Sequence, residues 1–332
     1  MRKIVFFIAA LAVMILFTNC DGLGSQGTGL LSSSGRSAEV LIVCPAKDWK
    51  GVLGDSLQAI LMQAVKILPQ EEPMFLLSQI PEDRFRESYR KQRNIIYFTI
   101  NPSIDQPKVV VNHNPWAQPQ TLIRITAKDW QQAAETVSKY QDEIIGYLLQ
   151  SEIKRFQRAQ KSKQNFHLGS EIERLYHISM IIPEGFIFAV KDSAFCWLRK
   201  DTKDWTQNIL IYTKNYTDTN QFKNEHIVKQ RNIHTRQYIF GPIDSSYVVI
   251  DEDYIPTISA YTDFNGNYSL RTVGLWRMEK DFMGGPFVNM NILDTNRNRV
   301  VAIDAFLYAP ADNKRDLLRQ LEAVIFSAEL KN

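Results

Sequence analysis

The sequence predicts an α+β fold: an N-terminal α/β sandwich-like domain followed by a mainly antiparallel sheet domain with helices on one face. Three observations predict it. Over residues 39–165, short apolar runs of strand length alternate with stretches of helical periodicity. Over residues 166–332, strand-length runs follow one another closely and are separated by Gly-, Asn- and Asp-rich turns. The chain has 332 residues with 45% hydrophobic content, enough to fill two cores of ordinary size.

The first element is an address. Arg2 and Lys3 supply a positive start, and an uncharged apolar stretch runs from Ile4 to Phe17. That stretch is too short for a spanning helix, which needs about 20 apolar residues. It closes at Thr18-Asn19-Cys20, where the thiol stands at the position acylated in bacterial lipoproteins; Asn19 departs from the usual Gly, Ala or Ser. Residues 1–19 are therefore expected to be a lipoprotein signal peptide, and Cys20 the lipidation site carrying diacylglycerol and palmitate. The Gly-, Ser- and Thr-rich residues 20–38 read as a flexible tether. Lipidation of Cys20 leaves Cys44 and Cys196, whose apolar, strand-like surroundings favour two buried thiols over a disulfide.

In the domain expected over residues 39–165, Glu-Val-Leu-Ile-Val-Cys at 39–44 is a buried strand, and Leu57, Ile60, Leu61, Ala64 and Leu68 mark a helical face. A charged helix is expected over residues 81–93, strands over 94–100, 108–111 and 121–126, and one long helix over 129–160. The tripeptide Lys-Asp-Trp precedes two of the helices, at residues 47–49 and 128–130, and suggests aspartate caps. The cations Lys154, Arg155, Arg158, Lys161 and Lys163 suit a solvated helix C-terminus. In the domain expected over residues 166–332, strands fall at 178–182, 186–191, 195–199 and 209–213, before a polar helix near 221–232. Two hairpins follow, turning at Asn265-Gly266 and at residues 294–298, and a last helix capped by Asp312 carries Leu317, Leu318, Leu321, Val324, Ile325 and Ala328 on one face.

Charge excludes some functions. Without Arg2 and Lys3, 37 basic groups face 36 acidic ones, which gives no electrostatic case for nucleic acid. Gly54-Asp55-Ser56-Leu57 spells an esterase nucleophile block, but none of the five histidines has an aspartate three residues before it. The block is better read as a helix start. Asp263-Phe264-Asn265-Gly266-Asn267 and Asp294-Thr295-Asn296-Arg297-Asn298 begin like calcium loops, yet lack glycine at the sixth position and glutamate at the twelfth, and read as hairpin turns. No zinc spacing, phosphate loop or dinucleotide fingerprint is present, so no metal and no cofactor are expected. One stretch is unusual: Met283-Gly284-Gly285-Pro286-Phe287 allows close backbone approach beside apolar side chains and is the candidate binding segment.

Several blocks together resemble a known family: Gly35-Arg36-Ser37-Ala38-Glu39-Val40-Leu41, Gly54-Asp55-Ser56, Glu72-Pro73-Met74-Phe75, Gly284-Gly285-Pro286-Phe287, and Tyr308-Ala309-Pro310 with the run from Asn313 to Ala323. The family is a group of predicted lipoproteins from Bacteroidota, catalogued as domain of unknown function 4837. The resemblance covers essentially the whole chain after the signal. It implies an envelope lipoprotein and assigns no catalytic or ligand residue. The second domain is also similar in order and length to PsbP-like antiparallel folds, an analogy that fixes no function.

The functional expectation is a non-catalytic binding or assembly component of the cell envelope. It would be held to the membrane by lipid on Cys20, at the outer membrane rather than the inner, and would engage an envelope protein partner and no nucleic acid. The alternative is an envelope hydrolase of esterase type using Ser56.

Overall fold

The computed structural model describes residues 29–331, so the expected signal peptide and Cys20 lie outside the described residues. Of the expected tether, the stretch from Leu31 to Ala38 is bonded to the body. Strand β1 (Leu31–Ser32) pairs in parallel with Ala117–Gln118, Ser34 N donates to Lys91 O at 2.8 Å, and Ala38 is fully buried. Composition did not reveal this because backbone pairing draws on main-chain groups that every sequence carries.

The chain then runs through β2 (Glu39–Val43), α1 (Ala46–Trp49), α2 (Val52–Leu61), β3 (Leu76–Ile80), α3 (Glu87–Arg90), β4 (Asn94–Ile100), β5 (Lys108–His113), the short β6 (Ala117–Gln118), which pairs with β1, and β7 (Thr121–Ala127); β2, β3, β4, β5 and β7 form the first sheet. The strand order is β3-β2-β4-β7-β5, parallel except at the β5 edge. Helices α2, α4 (Trp130–Lys139) and the start of α5 (Gln141–Lys161) bury Leu53, Leu57, Val137, Ile144 and Leu148 against Ile42, Ile96 and Ile123. Only two short turns of helix form over residues 81–93, because the chain dips to bury Phe85 against Tyr97 and Trp116.

The single long helix expected over residues 129–160 is broken at Tyr140, whose φ is −107°. Just before the break Thr136 Oγ1 donates to Gln132 O at 2.7 Å and Ser138 Oγ to Ala134 O at 3.1 Å. Such back-bonding competes with the helical ladder and bends it. Asp129 caps α4 as expected, accepting from Gln132 N at 2.7 Å, whereas Asp48 lies inside α1 and caps nothing.

After α6 (Phe166–Tyr176) and β8 (Ile178–Ser179), the chain forms β9 (Ile187–Lys191), β10 (Phe195–Asp201), β11 (Thr206–Asn215), α7 (Asn224–Tyr238), β12 (Val248–Asp251), β13 (Ile258–Phe264), β14 (Asn267–Met278), β15 (Gly284–Asp294), β16 (Arg299–Tyr308), α8 (Arg315–Ile325) and β17 (Glu329–Leu330). The eight-stranded sheet runs β12-β14-β15-β16-β11-β10-β9, with β13 also on β14, and every pairing is antiparallel. The α+β class is as the sequence predicts. The helices, however, cover both faces: α6 and α8 pack on Ile209, Ile211 and Ile303, while α7 lies over Leu210, Tyr212 and Phe306. The residues of α7 buried toward the sheet are Ile227, Arg231 and Thr235, so hydrophobic periodicity could not assign it an inner face.

The two sheets meet along α5 and α8, where Gln157 Nε2 donates to Ala323 O at 3.2 Å and Gln160 Nε2 to Gln320 O at 2.8 Å. The start of α8 is capped from a distance in sequence. Buried Glu72, not Asp312, accepts from Lys314 N at 2.6 Å and Arg315 N at 3.0 Å, while Arg315 and Arg319 donate to Pro73 O and Met74 O, each at 2.8 Å. Two of the sequence blocks that carry the family resemblance thus form this junction. Arg155, expected on a solvated helix end, is buried in a network with Glu152, Asn94 and Arg93 O, since α5 crosses the strand ends there.

Candidate functional site

Alternation along the strands places Tyr212, Phe287, Asn289, Asn291, Asp304 and Phe306 on the α7 face of the large sheet. Helix α7 lowers Arg231 onto this polar row. Its Nε donates to Asp304 Oδ2 at 2.8 Å and its Nη2 to Asp304 Oδ1 at 3.3 Å, and neither side chain is exposed. Asn289 Nδ2 donates to Asp304 Oδ2 at 2.9 Å and to the Tyr212 hydroxyl at 3.2 Å, and Asn291 donates to Asn289 Oδ1. The guanidinium lies 4.2 Å from the Phe287 ring centroid, where the π face complements its charge. Burial, aided by the Asp304 charge, pushes the Tyr212 phenol far above its ordinary range. Burial and then Lys214 push the His234 imidazole down, so it stays neutral where it packs on Tyr212 with centroids 4.2 Å apart.

Beyond the C-terminal end of α7 the sheet continues uncovered and forms the floor of a cleft of about 370 Å³. Its walls include Trp197, Trp276, Met283, Phe306 and Tyr308, with Phe240 on the rim. The indoles are fixed: Trp197 Nε1 donates to Asn208 Oδ1 at 2.9 Å and Trp276 Nε1 to Leu307 O at 3.1 Å. Phe240 is 66% exposed and Arg199 stands at the mouth, so a preformed apolar floor opens through a mixed rim. On the other side of Met283 a second cleft of about 390 Å³ is lined by Tyr254, Phe282 and Gly284.

The five residues singled out in the sequence fall in different places. Met283 lines both clefts, and Gly284 and Gly285 line the second. Glycine is required at 285, because a Cβ there would lie 2.1 Å from Leu307 O. Pro286 and Phe287 are buried, Phe287 beneath Arg231, and the fully exposed apolar side chain is the neighbouring Phe282. Sequence reasoning missed Arg231, Asn289, Trp197 and Tyr308. The signal that could have found the centre was Asp304, an acid on the alternating apolar arm of β16.

Ser56 is half-buried within α2, whose N-cap is Gly51 rather than Asp55, and no hydrogen bond among the described residues joins it to a histidine. Gly54 of the same block has a packing reason, since a Cβ there would lie 1.7 Å from Trp49 O. Asp263 accepts from Gly266 N at 3.0 Å in a turn where Asn265 and Gly266 both have positive φ, and Asp294 is engaged by Arg299 at 2.8 Å. Both segments are hairpin turns. Among the described residues no cluster of His, Cys, Asp and Glu could hold a metal. Cys44 and Cys196 are buried and unpaired, and burial pushes both thiols up to about 12, Asp48 adding to the shift at Cys44.

Residues 165–327 match the family described as Domain of unknown function (DUF4837). Residues 33–161 match a second, Domain of unknown function (DUF8532). The two matches divide at the end of α5, so the α7 face and its cleft lie wholly within the first. No curated protein matches the chain. Among solved structures, the Saccharomyces cerevisiae Ran-binding protein Mog1p is similar at 12% identity and a TM-score of 0.30, covering 47% of this chain and 92% of its own. A point mutant of Mog1 gives 11%, 0.30, 47% and 91%, and a Bacteroides thetaiotaomicron protein 12%, 0.20, 47% and 45%. At these TM-scores neither fold nor function carries over.

Proposed function

We propose that this chain is a non-catalytic binding component of the cell envelope, anchored by lipid on Cys20 to the outer membrane, which grips an apolar side chain of an envelope protein in its aromatic cleft. The cleft carries the reading. Its two indoles are locked by hydrogen bonds and its floor rests on a buried ion pair, so the surface is rigid before anything binds. Preorganised aromatic pockets are where binding energy concentrates at protein interfaces. Among the described residues no hydrogen bond joins Ser56 to a histidine, so the esterase reading has no geometric support beside that of the cleft.

The experiment places a photo-crosslinking amino acid at Phe240, on the rim, and at Tyr147, an exposed residue of α5, in cells. A discrete adduct formed from position 240 only, reduced severalfold by Met283→Ala and absent in Cys20→Ala, is the expected result. The same adduct from both positions, or one indifferent to Met283, would overturn the cleft. Incorporation of an alkynyl fatty acid that disappears in Cys20→Ala, with the protein in the outer-membrane fraction, is expected for the anchor.

A further inference from the structure

A third cleft, of about 560 Å³, lies at the junction of the two sheets, between the last turns of α5, helix α8 and the turn before β9. Pockets of this size at such junctions are the usual places for small ligands. Its floor is apolar, formed by Phe156, Phe186, Leu321 and Val324, of which Phe186, Leu321 and Val324 are buried. Its mouth is cationic. Lys163 and Lys200 both line it, and no carboxylate pairs with either among the described residues; Glu184 is the single acid at the rim. The Lys200 stem runs past Gly185, where a Cβ would lie 3.0 Å from Cε, and its ammonium sits 5.9 Å from the Phe186 ring centroid.

Two amides sharpen the case. Gln160 Oε1 is buried without a hydrogen-bond partner, although its Nε2 donates to Gln320 O at 2.8 Å. Gln207 is 3% exposed and reaches the cleft from β11, its Nε2 held by Leu317 O at 3.0 Å. That oxygen is closed off from solvent as well as unpartnered, so a donor reaches it only if the Gln160 amide turns into the cleft. An apolar floor and two ammonium groups without a carboxylate partner among the described residues, that of Lys200 resting over the Phe186 and Trp205 rings, describe a site for one molecule with an apolar tail and an anionic head.

We propose that this junction cleft binds a single-chain anionic amphiphile, its acyl chain along Phe156 and Leu321 and its acidic head between Lys163 and Lys200. The site is separate from the aromatic cleft and stands or falls without it. The test is calorimetric titration of the full chain with dodecyl phosphate, dodecanol and inorganic phosphate, all below micellar concentrations. Dodecyl phosphate is expected to bind one site, dodecanol at least roughly tenfold more weakly, and inorganic phosphate not measurably. Lys163→Gln combined with Lys200→Gln should erase the difference between the phosphate and the alcohol. Ala159→Trp, on an exposed position of the lining, should abolish binding of both while the far-UV spectrum and Tm stay unchanged. Equal affinity for dodecanol, equal affinity for inorganic phosphate, or no binding at all would each overturn the proposal. So would binding that survives Ala159→Trp but not Met283→Trp, since the amphiphile would then occupy the aromatic cleft.

Discussion

The two faces of the large sheet are made from the same strands and differ in what they bury. On the α8 face Ile209, Ile211, Ile303, Leu321 and Val324 pack without a polar atom among them. On the α7 face the alternate residues of those strands bring Asp304, Asn289, Asn291 and Tyr212 together under Arg231, beside an open cleft. The α8 face therefore fixes the fold through area and shape, whereas the α7 face depends on a buried polar network in which Arg231 is held by Asp304 while Arg231 Nη1 and His234 Nδ1 have no hydrogen-bond partner among the described residues.

The largest effect should come from breaking the polar side. Asp304→Ala leaves a fully buried guanidinium without its carboxylate and should cost about 3–5 kcal/mol of unfolding free energy by denaturant titration. Replacing both members, Arg231→Met with Asp304→Leu, should recover most of that loss, because an apolar pair removes the unpaired charge. A single variant as stable as the parent would show that the two faces do not differ in kind. On the apolar side Leu321→Ala should cost about 3 kcal/mol by cavity formation and leave crosslinking at the aromatic cleft unchanged.

The junction is a smaller, electrostatic case. Glu72→Gln keeps an acceptor but removes the charge at the start of α8, and should cost about 1–2 kcal/mol, measured by denaturant titration. Buried titratable groups set the pH window. Burial holds folded His234 below the ordinary imidazole value of 6.5, so as pH falls through that value the unfolded chain takes up a proton the folded chain refuses, and stability drops. Above the ordinary thiol value of 9.0 the unfolded chain releases protons that Cys44 and Cys196 retain up to about 12, so stability drops again as pH rises. Thermal unfolding scanned across pH should therefore be highest between 6.5 and 9.0, and His234→Phe should make the acid limb shallower, leaving the part due to His226, which burial also pushes down, and should not change the alkaline limb.

The apolar face was legible in the sequence and the polar face was not, for a physical reason. Leu317, Leu318, Leu321, Val324 and Ile325 repeat at helical spacing, and the strands beneath them alternate, so periodicity identifies α8 and its sheet. Helix α7 offers no such stripe, because its buried residues include Arg231 and Thr235, whose partners Asp304 and Val248 O lie on strands outside the helix. The candidate segment was half legible: glycine at 285 follows from close approach, but the exposed and buried members of Met283 to Phe287 could not be told apart without the strand register. Glu72 was invisible as a cap because the helix it caps begins more than 200 residues later.

The smallest effect on stability should come from the cleft itself. Met283 is half-buried where two clefts meet, and its truncation opens no enclosed void, so Met283→Ala should change unfolding free energy by no more than about 1 kcal/mol. Its thioether nevertheless forms part of the wall facing Trp276 and Phe306, and a flexible, polarisable side chain there adapts to an incoming group. Adduct formation from position 240 should accordingly fall severalfold in this variant while Tm barely moves. A parallel loss of stability and crosslinking would instead make Met283 a packing residue, and the α7 face would then be a second core with an irregular edge.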